Sequence, residues 1–281
     1  MRAITIGLAL AGLALAGCQT SVSEKEDPFA QDVIDEAKLT DLLLQSGDPA
    51  TAVTYFETAV AREPDRVDFR RKLAKAYTRA KRLPEAARAY QELQAVGGAT
   101  AEDRLDYAFV AVRLGRFEDA RALSGGLPGT LETPRRFLLD ALLADEAEDW
   151  DGADAAYAKA EQLATAPFEV LNNWGVSLMN RGELDRAETV LERAVSYNST
   201  RFNAKNNLAI ARGLRGEYRL PLVPMTAEER AIISHNLGQI ALQRGEKRVA
   251  KGLFAQAVDL HPRYYEAAAD QLAQLQGSVV Q

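Results

Sequence analysis

The amino-acid sequence predicts an all-α protein in which one helix–turn–helix unit recurs along the chain. The clearest copy spans residues 168–201. Leu171, Trp174 and Leu178 recur there at helical spacing, as the buried stripe of one helix does. Gly182 then interrupts the pattern, and a residue that readily adopts positive φ suits the turn after a helix end.

A second helical stripe follows this turn, formed by Ala187, Leu191 and Ala194. Small residues in both stripes, including Gly175, allow the two helices to approach closely. Neither helix can bury its stripe alone, so each pair needs a neighbouring pair of the same kind. The sequence therefore predicts a stack of helix pairs.

The rest of the chain repeats this unit with a period of about 33–34 residues. We place the repeats at 33–66, 67–100, 101–133, 134–167, 168–201, 202–224 (truncated) and 231–264, followed by a capping helix at 265–276. Of the 281 residues, 47% are hydrophobic and only 7% aromatic, and no run of alternating Val, Ile and Thr indicates a sheet. Composition and period thus favour the same all-helical architecture.

Three repeats depart from the pattern. The second helix of the third repeat is cut short by Gly125-Gly126, and the fourth repeat carries Glu148 in place of the turn glycine. The sixth repeat contains Pro221 and Pro224, which cannot both lie inside a helix. We therefore expect the sixth repeat to lack its second helix.

Repeats of this length, with small and large apolar residues at these places, resemble the tetratricopeptide repeat. The resemblance implies a right-handed superhelical solenoid. It also implies that the first helix of each pair lines a concave face, where peptide segments or partner helices bind.

The N-terminus reads as a lipoprotein signal. Arg2 precedes an apolar run that is too short to span a membrane, which predicts a signal peptide at 1–17. The sequence LAGC that ends at Cys18 resembles a bacterial lipobox, which implies acylation of this cysteine; the alternative is an ordinary secretory signal. Gln19 follows the cysteine, so the resemblance favours the periplasmic face of the outer membrane. Residues 18–32 are mostly polar and predict a flexible tether that begins at the acylated cysteine.

Polar pairs on the first helices of the last repeats are candidates for partner binding. They are Asn172 and Asn173, Asn206 and Asn207, and His235 and Asn236. An asparagine side chain both donates and accepts hydrogen bonds, so it can bind a peptide backbone. Peptide-binding tetratricopeptide domains carry asparagine at the second position of such pairs. The alternative is that these amides join neighbouring helices.

A basic stripe on the second repeat is another candidate. Arg71, Lys75 and Arg79 lie on one helix face and predict a site for an acidic segment or a C-terminal carboxylate. The alternative is a solvated face that pairs with nearby acids, namely Asp65, Asp68, Glu85 and Glu92.

The sequence offers no pattern for catalysis. It has two histidines and one cysteine, and no metal-binding pair, nucleophile elbow or phosphate-binding glycine loop. We expect no enzyme activity, no catalytic or metal-binding residues and no cofactor. The net charge of −6, with both signs interspersed, also argues against nucleic acid. The expected partners are proteins or peptides, together with a membrane through the lipid anchor.

A lipid anchor joined to such repeats resembles several bacterial envelope families. The stretches VLNNWGVSLMNRGE, KNNLAIARGLRGEY and LPLVPMTAEER are most similar to the assembly lipoprotein of the tight-adherence (Flp) pilus secretion system. This resemblance implies a scaffold that acts on the secretin or other pilus components. The alternatives are a lipoprotein adaptor for peptidoglycan hydrolases and an accessory factor for outer-membrane protein insertion. Type IV pilus pilotins are also similar.

Overall fold

A computed structural model describes residues 28–263 and 265–277. This part of the chain forms fourteen α-helices and contains no strand, so the predicted all-α fold class is confirmed. The predicted signal peptide (1–17), Cys18 and most of the tether lie outside the described residues.

The chain divides into two parts, and the first ends at Asp48. Its described portion contains helix α1 (Pro28–Ser46). The last five residues of the predicted tether, 28–32, are therefore helical, and that boundary was wrong. The physical reason is local: Pro28 stands at the first helical position, where its fixed φ fits and its missing N–H is not needed.

The second part covers Pro49–Gln281. Its helices are α2 (Pro49–Arg62), α3 (Val67–Arg79), α4 (Leu83–Ala95), α5 (Ala101–Arg113), α6 (Phe117–Gly125), α7 (Pro134–Glu146), α8 (Trp150–Leu163), α9 (Phe168–Asn180), α10 (Leu184–Tyr197), α11 (Phe202–Leu214), α12 (Ala227–Gln243), α13 (Lys247–Leu260) and α14 (Glu266–Gly277). Within this part, helices pack mainly on their neighbours in sequence, and the first helices of successive pairs also touch.

One turn geometry recurs after the first helix of the second to seventh repeats. The turn residue has a positive φ between 55° and 89°, and the next amide donates to a carbonyl five residues back at 2.8–2.9 Å. This is the Schellman arrangement, which satisfies carbonyls at a helix end. The turn residues are Lys81, Gly115, Glu148, Gly182, Gly216 and Gly245. Glu148 thus occupies the turn position that its place in the sequence predicts, and Lys81 is a second non-glycine residue there.

Small residues let the helices of a pair approach closely. A Cβ added to Gly175 would lie 2.4 Å from Cγ of Leu191, and one added to Gly238 would lie 2.7 Å from the Phe254 ring. Ala187 and Ala250 are fully buried opposite them. Any larger side chain at these glycines would therefore push the paired helices apart.

The irregular repeats follow the helix-breaking residues. Helix α6 ends at Gly125, and residues 218–225, here called the proline loop, form no helix. Helix α12 then begins at Ala227, four residues before the predicted start of the seventh repeat. The earlier start has a physical cause, because Thr226 and Glu229 form a capping box at this end.

Candidate partner-binding face

Asparagines join the first helices of the last three repeats. Nδ2 of Asn207 on α11 donates to Oδ1 of Asn172 on α9 at 3.0 Å. Nδ2 of Asn236 on α12 donates to Oδ1 of Asn206 on α11 at 2.7 Å. These four residues form two equivalent rungs, which we call the asparagine ladder. The ladder agrees with the proposed role of these amides in joining neighbouring helices.

The asparagine ladder retains hydrogen-bonding capacity. Each rung uses one donor of the second asparagine and one acceptor of the first. Within the described part of the chain, no group bonds to Nδ2 of Asn172 or Asn206, or to Oδ1 of Asn207 or Asn236. All four side chains are only half-buried. The ladder therefore presents both donors and acceptors to a further ligand.

Asn173 and His235 stand apart from the ladder. Nδ2 of Asn173 donates to the Glu169 carbonyl one turn back, at 2.8 Å. The His235 ring lies between Phe254 and Tyr265, and its Nδ1 is buried without a partner among the described residues. Burial lowers the pKa of His235. The three polar pairs look equivalent in the sequence, yet the structure gives their members different roles.

The basic stripe of the second repeat is engaged in ion pairs. Nε of Arg71 donates to both carboxylate oxygens of Asp103 at 2.8 and 3.0 Å, and its Nη2 donates to the Gly98 carbonyl. Nζ of Lys75 lies 3.7 Å from Oδ2 of Asp106. Arg79, the last residue of α3, is half-buried. Arg71 thus ties α3 to the start of α5 rather than presenting its charge to solvent.

Asp103 is the buried centre of this tie, with 1% of its surface exposed. Burial raises its pKa, but hydrogen bonds from Thr100 and Arg71 outweigh burial, so the pKa is lowered overall. The sequence predicts other acids as partners of the basic stripe. Instead, Asp68 pairs with Arg66, Glu85 with Arg82 and Glu92 with Arg70.

A second tie joins the fourth and fifth repeats. The Trp174 ring stacks on Tyr157 with centroids 5.9 Å apart, and its Nε1 donates to Oδ1 of Asp154 at 2.8 Å. Asp154 also accepts hydrogen bonds from Arg181 and Arg186. Sequence reasoning placed Trp174 in the core but did not foresee this polar cluster, because its members lie far apart in the chain.

A third tie holds the proline loop. Lys205 on α11 is only 2% exposed, and its Nζ donates to Glu229 and to the Pro224 carbonyl at 2.9 and 3.2 Å. Burial raises the pKa of Glu229, but hydrogen bonds from Lys205 and Thr226 lower it overall. A lysine at the position that Leu171 occupies in the preceding repeat was the available sequence signal.

The comparisons with known proteins concern the architecture. Residues 38–102 match the model of the tetratricopeptide-repeat family. A tetratricopeptide repeat protein from Parabacteroides merdae is similar over 88% of this chain and 99% of its own, with TM-score 0.57 and 16% identity. The fold is a tetratricopeptide-repeat solenoid.

Two further solved structures share this tetratricopeptide-repeat fold. PilW, described as a widely conserved type IV pilus biogenesis factor, is similar over 88% of this chain and 99% of its own, with TM-score 0.56 and 15% identity. A chain of the APC/C hetero-tetramer Cut9–Hcn1 gives TM-score 0.58 and 14% identity over 84% of this chain. This chain spans about half (48%) of that longer one. A search of the curated proteins returned no match.

Two features are absent from the described residues. No group of three or more His, Cys, Asp or Glu side chains is placed to hold a metal ion. None of the described helices combines the length and apolarity needed to cross a membrane.

Proposed function

We propose that this protein is a scaffold for protein–protein interaction that binds an extended partner segment along the asparagine ladder. The observation that carries the proposal is the unused hydrogen-bonding capacity of four half-buried amides on adjacent first helices. An extended peptide backbone presents N–H and C=O groups in alternation. Amide donors on Asn172 and Asn206, with amide acceptors on Asn207 and Asn236, complement such a backbone without requiring a charged partner.

The small free energy of a single hydrogen bond favours a contact that spans several amides. One neutral hydrogen bond contributes about 0.5–1.5 kcal/mol net, so a single amide cannot hold a partner. Successive rungs place equivalent groups on neighbouring helices, so that one segment engages several amides at once. Specificity would then come from apolar side chains of the partner.

The finer proposal places the scaffold in the assembly of a Flp (tight-adherence) pilus secretion system, with its lipid anchor in the outer membrane. Three observations support it. The LAGC sequence at Cys18 resembles a lipobox, residues 168–264 resemble the tight-adherence lipoproteins, and PilW, a type IV pilus biogenesis factor, has a similar fold. Secretin subunits and other pilus assembly components are the partners that this proposal implies.

The ladder provides a sharp test. In the double variant Asn172→Asp, Asn206→Asp, each new carboxylate still accepts the hydrogen bond of its rung, but the unused Nδ2 donors are gone. We expect this variant to melt like the parent protein and to lose partner capture from a native envelope extract. Circular-dichroism melts and quantitative mass spectrometry of the captured proteins measure the two outcomes.

A matched control variant should lose stability, which the first variant keeps. In Asn207→Asp, Asn236→Asp, an oxygen replaces each rung donor and faces another oxygen, so the free energy of unfolding should fall by about 1–3 kcal/mol for the two rungs. If the Asn172→Asp, Asn206→Asp variant folds normally and still captures the same partners, the ladder is not the binding site. Capture of cell-wall hydrolases instead of pilus components would replace the pilus proposal with the adaptor function.

The anchor is tested separately. Cys18→Ser removes the thiol that acylation requires, so the variant should leave the membrane fraction and appear as soluble protein. Metabolic labelling with a clickable fatty acid should mark the parent protein but not the variant. Retention of Cys18→Ser in washed outer membranes would contradict the lipid anchor.

A further inference from the structure

His235 packs against Tyr265, the residue that precedes α14. Its ring centroid is 5.5 Å from that of Phe254 on α13 and 5.3 Å from that of Tyr265. Tyr265 in turn starts α14, because its carbonyl accepts hydrogen bonds from the amides of Ala268 and Ala269 at 3.2 and 3.0 Å. The packing of His235 is therefore linked directly to the first turn of α14.

The buried nitrogen of His235 suits the neutral ring only. Nδ1 is inaccessible to solvent and has no hydrogen-bond partner among the described residues. In the neutral ring this atom can remain an unprotonated acceptor. Protonation would create a buried N–H without an acceptor and a charge without a counter-charge, both of which cost free energy.

Among the described residues, no element packed against α12 supplies a compensating charge to His235. On α11, Lys205 pairs with Glu229, and Arg212 pairs with Glu188 and Glu192. One turn away on α12 stand four uncharged residues, Ala231, Ile232, Gly238 and Gln239. The charged residues of α13 and α14 are all exposed: Lys247, Arg248, Lys251, Asp259, Glu266 and Asp270. The remaining titratable groups nearby are Tyr265 and His261, whose ring lies 4.9 Å from the Tyr265 ring. Burial is accordingly the cause that lowers the pKa of His235.

Helix α14 covers apolar surface of the seventh repeat. Leu272 and Leu275 pack against the cluster that contains Leu237 and Phe254, and Ala268 is fully buried. In the described part of the chain, α14 is the last helix and packs mainly on α13. Its detachment would expose this apolar surface without disrupting the other repeats.

We propose that His235 is an acid-sensitive latch, and that protonation of its ring displaces Tyr265 and releases α14 from the seventh repeat. Released α14 would uncover an apolar surface beside the Asn206–Asn236 rung. This device operates whether or not the asparagine ladder binds a partner.

The direction of the pH effect follows from linkage. With α14 released, His235 has the ordinary histidine pKa of about 6.5, whereas burial lowers the pKa when α14 is docked. Docking is therefore strongest above about pH 6.5 and weakens as the pH falls below it. Between the two pKa values, release becomes more favourable by up to about tenfold per pH unit.

Hydrogen exchange of the full chain between pH 7.5 and pH 5 tests the latch. Protection factors, which remove the intrinsic pH dependence of exchange, should fall in residues 266–277 and stay constant in α9 and α10. In His235→Phe, an aromatic ring remains between Phe254 and Tyr265 but cannot be protonated. Protection of residues 266–277 should then be independent of pH.

Two further variants complete the test. His261→Gln should keep the pH dependence of the parent protein; loss of that dependence would assign the effect to His261 and overturn the proposal. His235→Asn places at 235 the side chain found at 172 and 206, and it should also abolish the pH dependence. It serves as a second non-titrating variant if His235→Phe packs poorly. Constant protection of residues 266–277 in the parent protein from pH 7.5 to pH 5 would likewise overturn the latch.

Discussion

The second and third repeats and the fifth to seventh repeats use the same positions of the first helix for different chemistry. Where the later repeats carry Asn172, Asn206 and Asn236, the earlier ones carry Arg71 and Asp106. Both sets tie neighbouring first helices together. The early ties are ion pairs, of which Arg71 with Asp103 is the most buried, whereas the late ties are hydrogen bonds between amides.

The two kinds of tie differ in the hydrogen-bonding groups that they leave unused. The Arg71 guanidinium is shared between the Asp103 carboxylate and the Gly98 carbonyl, which are internal acceptors. An amide in the ladder still has one donor or acceptor group in reserve. The same scaffold geometry therefore gives an internally engaged face in one region and a face able to bind a backbone in the other.

The largest effect on stability is expected at the contact between the fourth repeat, which separates the two regions, and the fifth. Trp174→Ala removes the ring stacked on Tyr157 and the hydrogen bond to Asp154, and should lower the free energy of unfolding by about 3 kcal/mol. Because repeats couple mainly to neighbours, the two regions should then melt at separate temperatures. Differential scanning calorimetry measures whether one transition becomes two.

The other tryptophan of the chain supplies the control. Trp150 is 36% exposed and lies near the Arg181 guanidinium, so Trp150→Ala should cost clearly less and leave a single transition. Uniform destabilisation of residues 49–277 in Trp174→Ala would mean that the two regions are one cooperative unit.

A smaller effect is expected within the ion-paired region. Arg71→Leu leaves the buried Asp103 carboxylate with only its Thr100 hydrogen bonds, which should cost about 2–3 kcal/mol at neutral pH. The pKa of Asp103 is lowered in the folded protein, so its stabilising contribution is lost as the pH falls below about 3.8. Chemical denaturation of the parent protein and Arg71→Leu at pH 7 and pH 3 should show the difference shrinking in acid. An equal difference at both pH values would show that the loss is one of packing rather than of charge.

The smallest effect should be a gain in stability. Glu148 has φ of 55° at a turn where four other repeats have glycine, so Glu148→Gly relieves a left-handed conformation and should stabilise the protein by about 0.5–1 kcal/mol. Lys81→Gly should act similarly in the second repeat, where φ is 59°. Thermal melts would show a rise in melting temperature for each, while Gly182→Ala, which imposes the strain, should show a fall.

The sequence predicts the helix pairs well because the signal is local and repeated. Residues similar to Gly182, Ala187 and Leu191 recur at the same positions of most repeats, and each recurrence supports the assignment of the repeats. The shortened α6 and the missing helix near Pro221 are also predictable, since glycine and proline act on their own segment. The early starts of α1 and α12 were not predicted, although their signals are local as well: Pro28 at the first helical position of α1 and the Thr226–Glu229 capping box of α12.

The chemistry of the face is less predictable, because it depends on which repeat each side chain meets. His235 and Asn206 occupy equivalent positions, yet the first packs against Tyr265 before α14 and the second bonds to Asn236 on α12. Arg71 has nearby acids in the sequence but pairs with Asp103, which belongs to the next repeat. Period and composition determine the helices, whereas contacts between repeats determine what each polar group does.

The proline loop has a consequence for covalent connectivity. Among the described residues, 218–225 make no backbone–backbone hydrogen bond, and Leu222 is fully exposed. The Lys205–Glu229 ion pair and the packing of α11 on α12 hold the two flanking helices together through non-covalent contacts, independently of the loop. The chain could therefore be cut at this loop, or another domain inserted there, without breaking backbone hydrogen bonds.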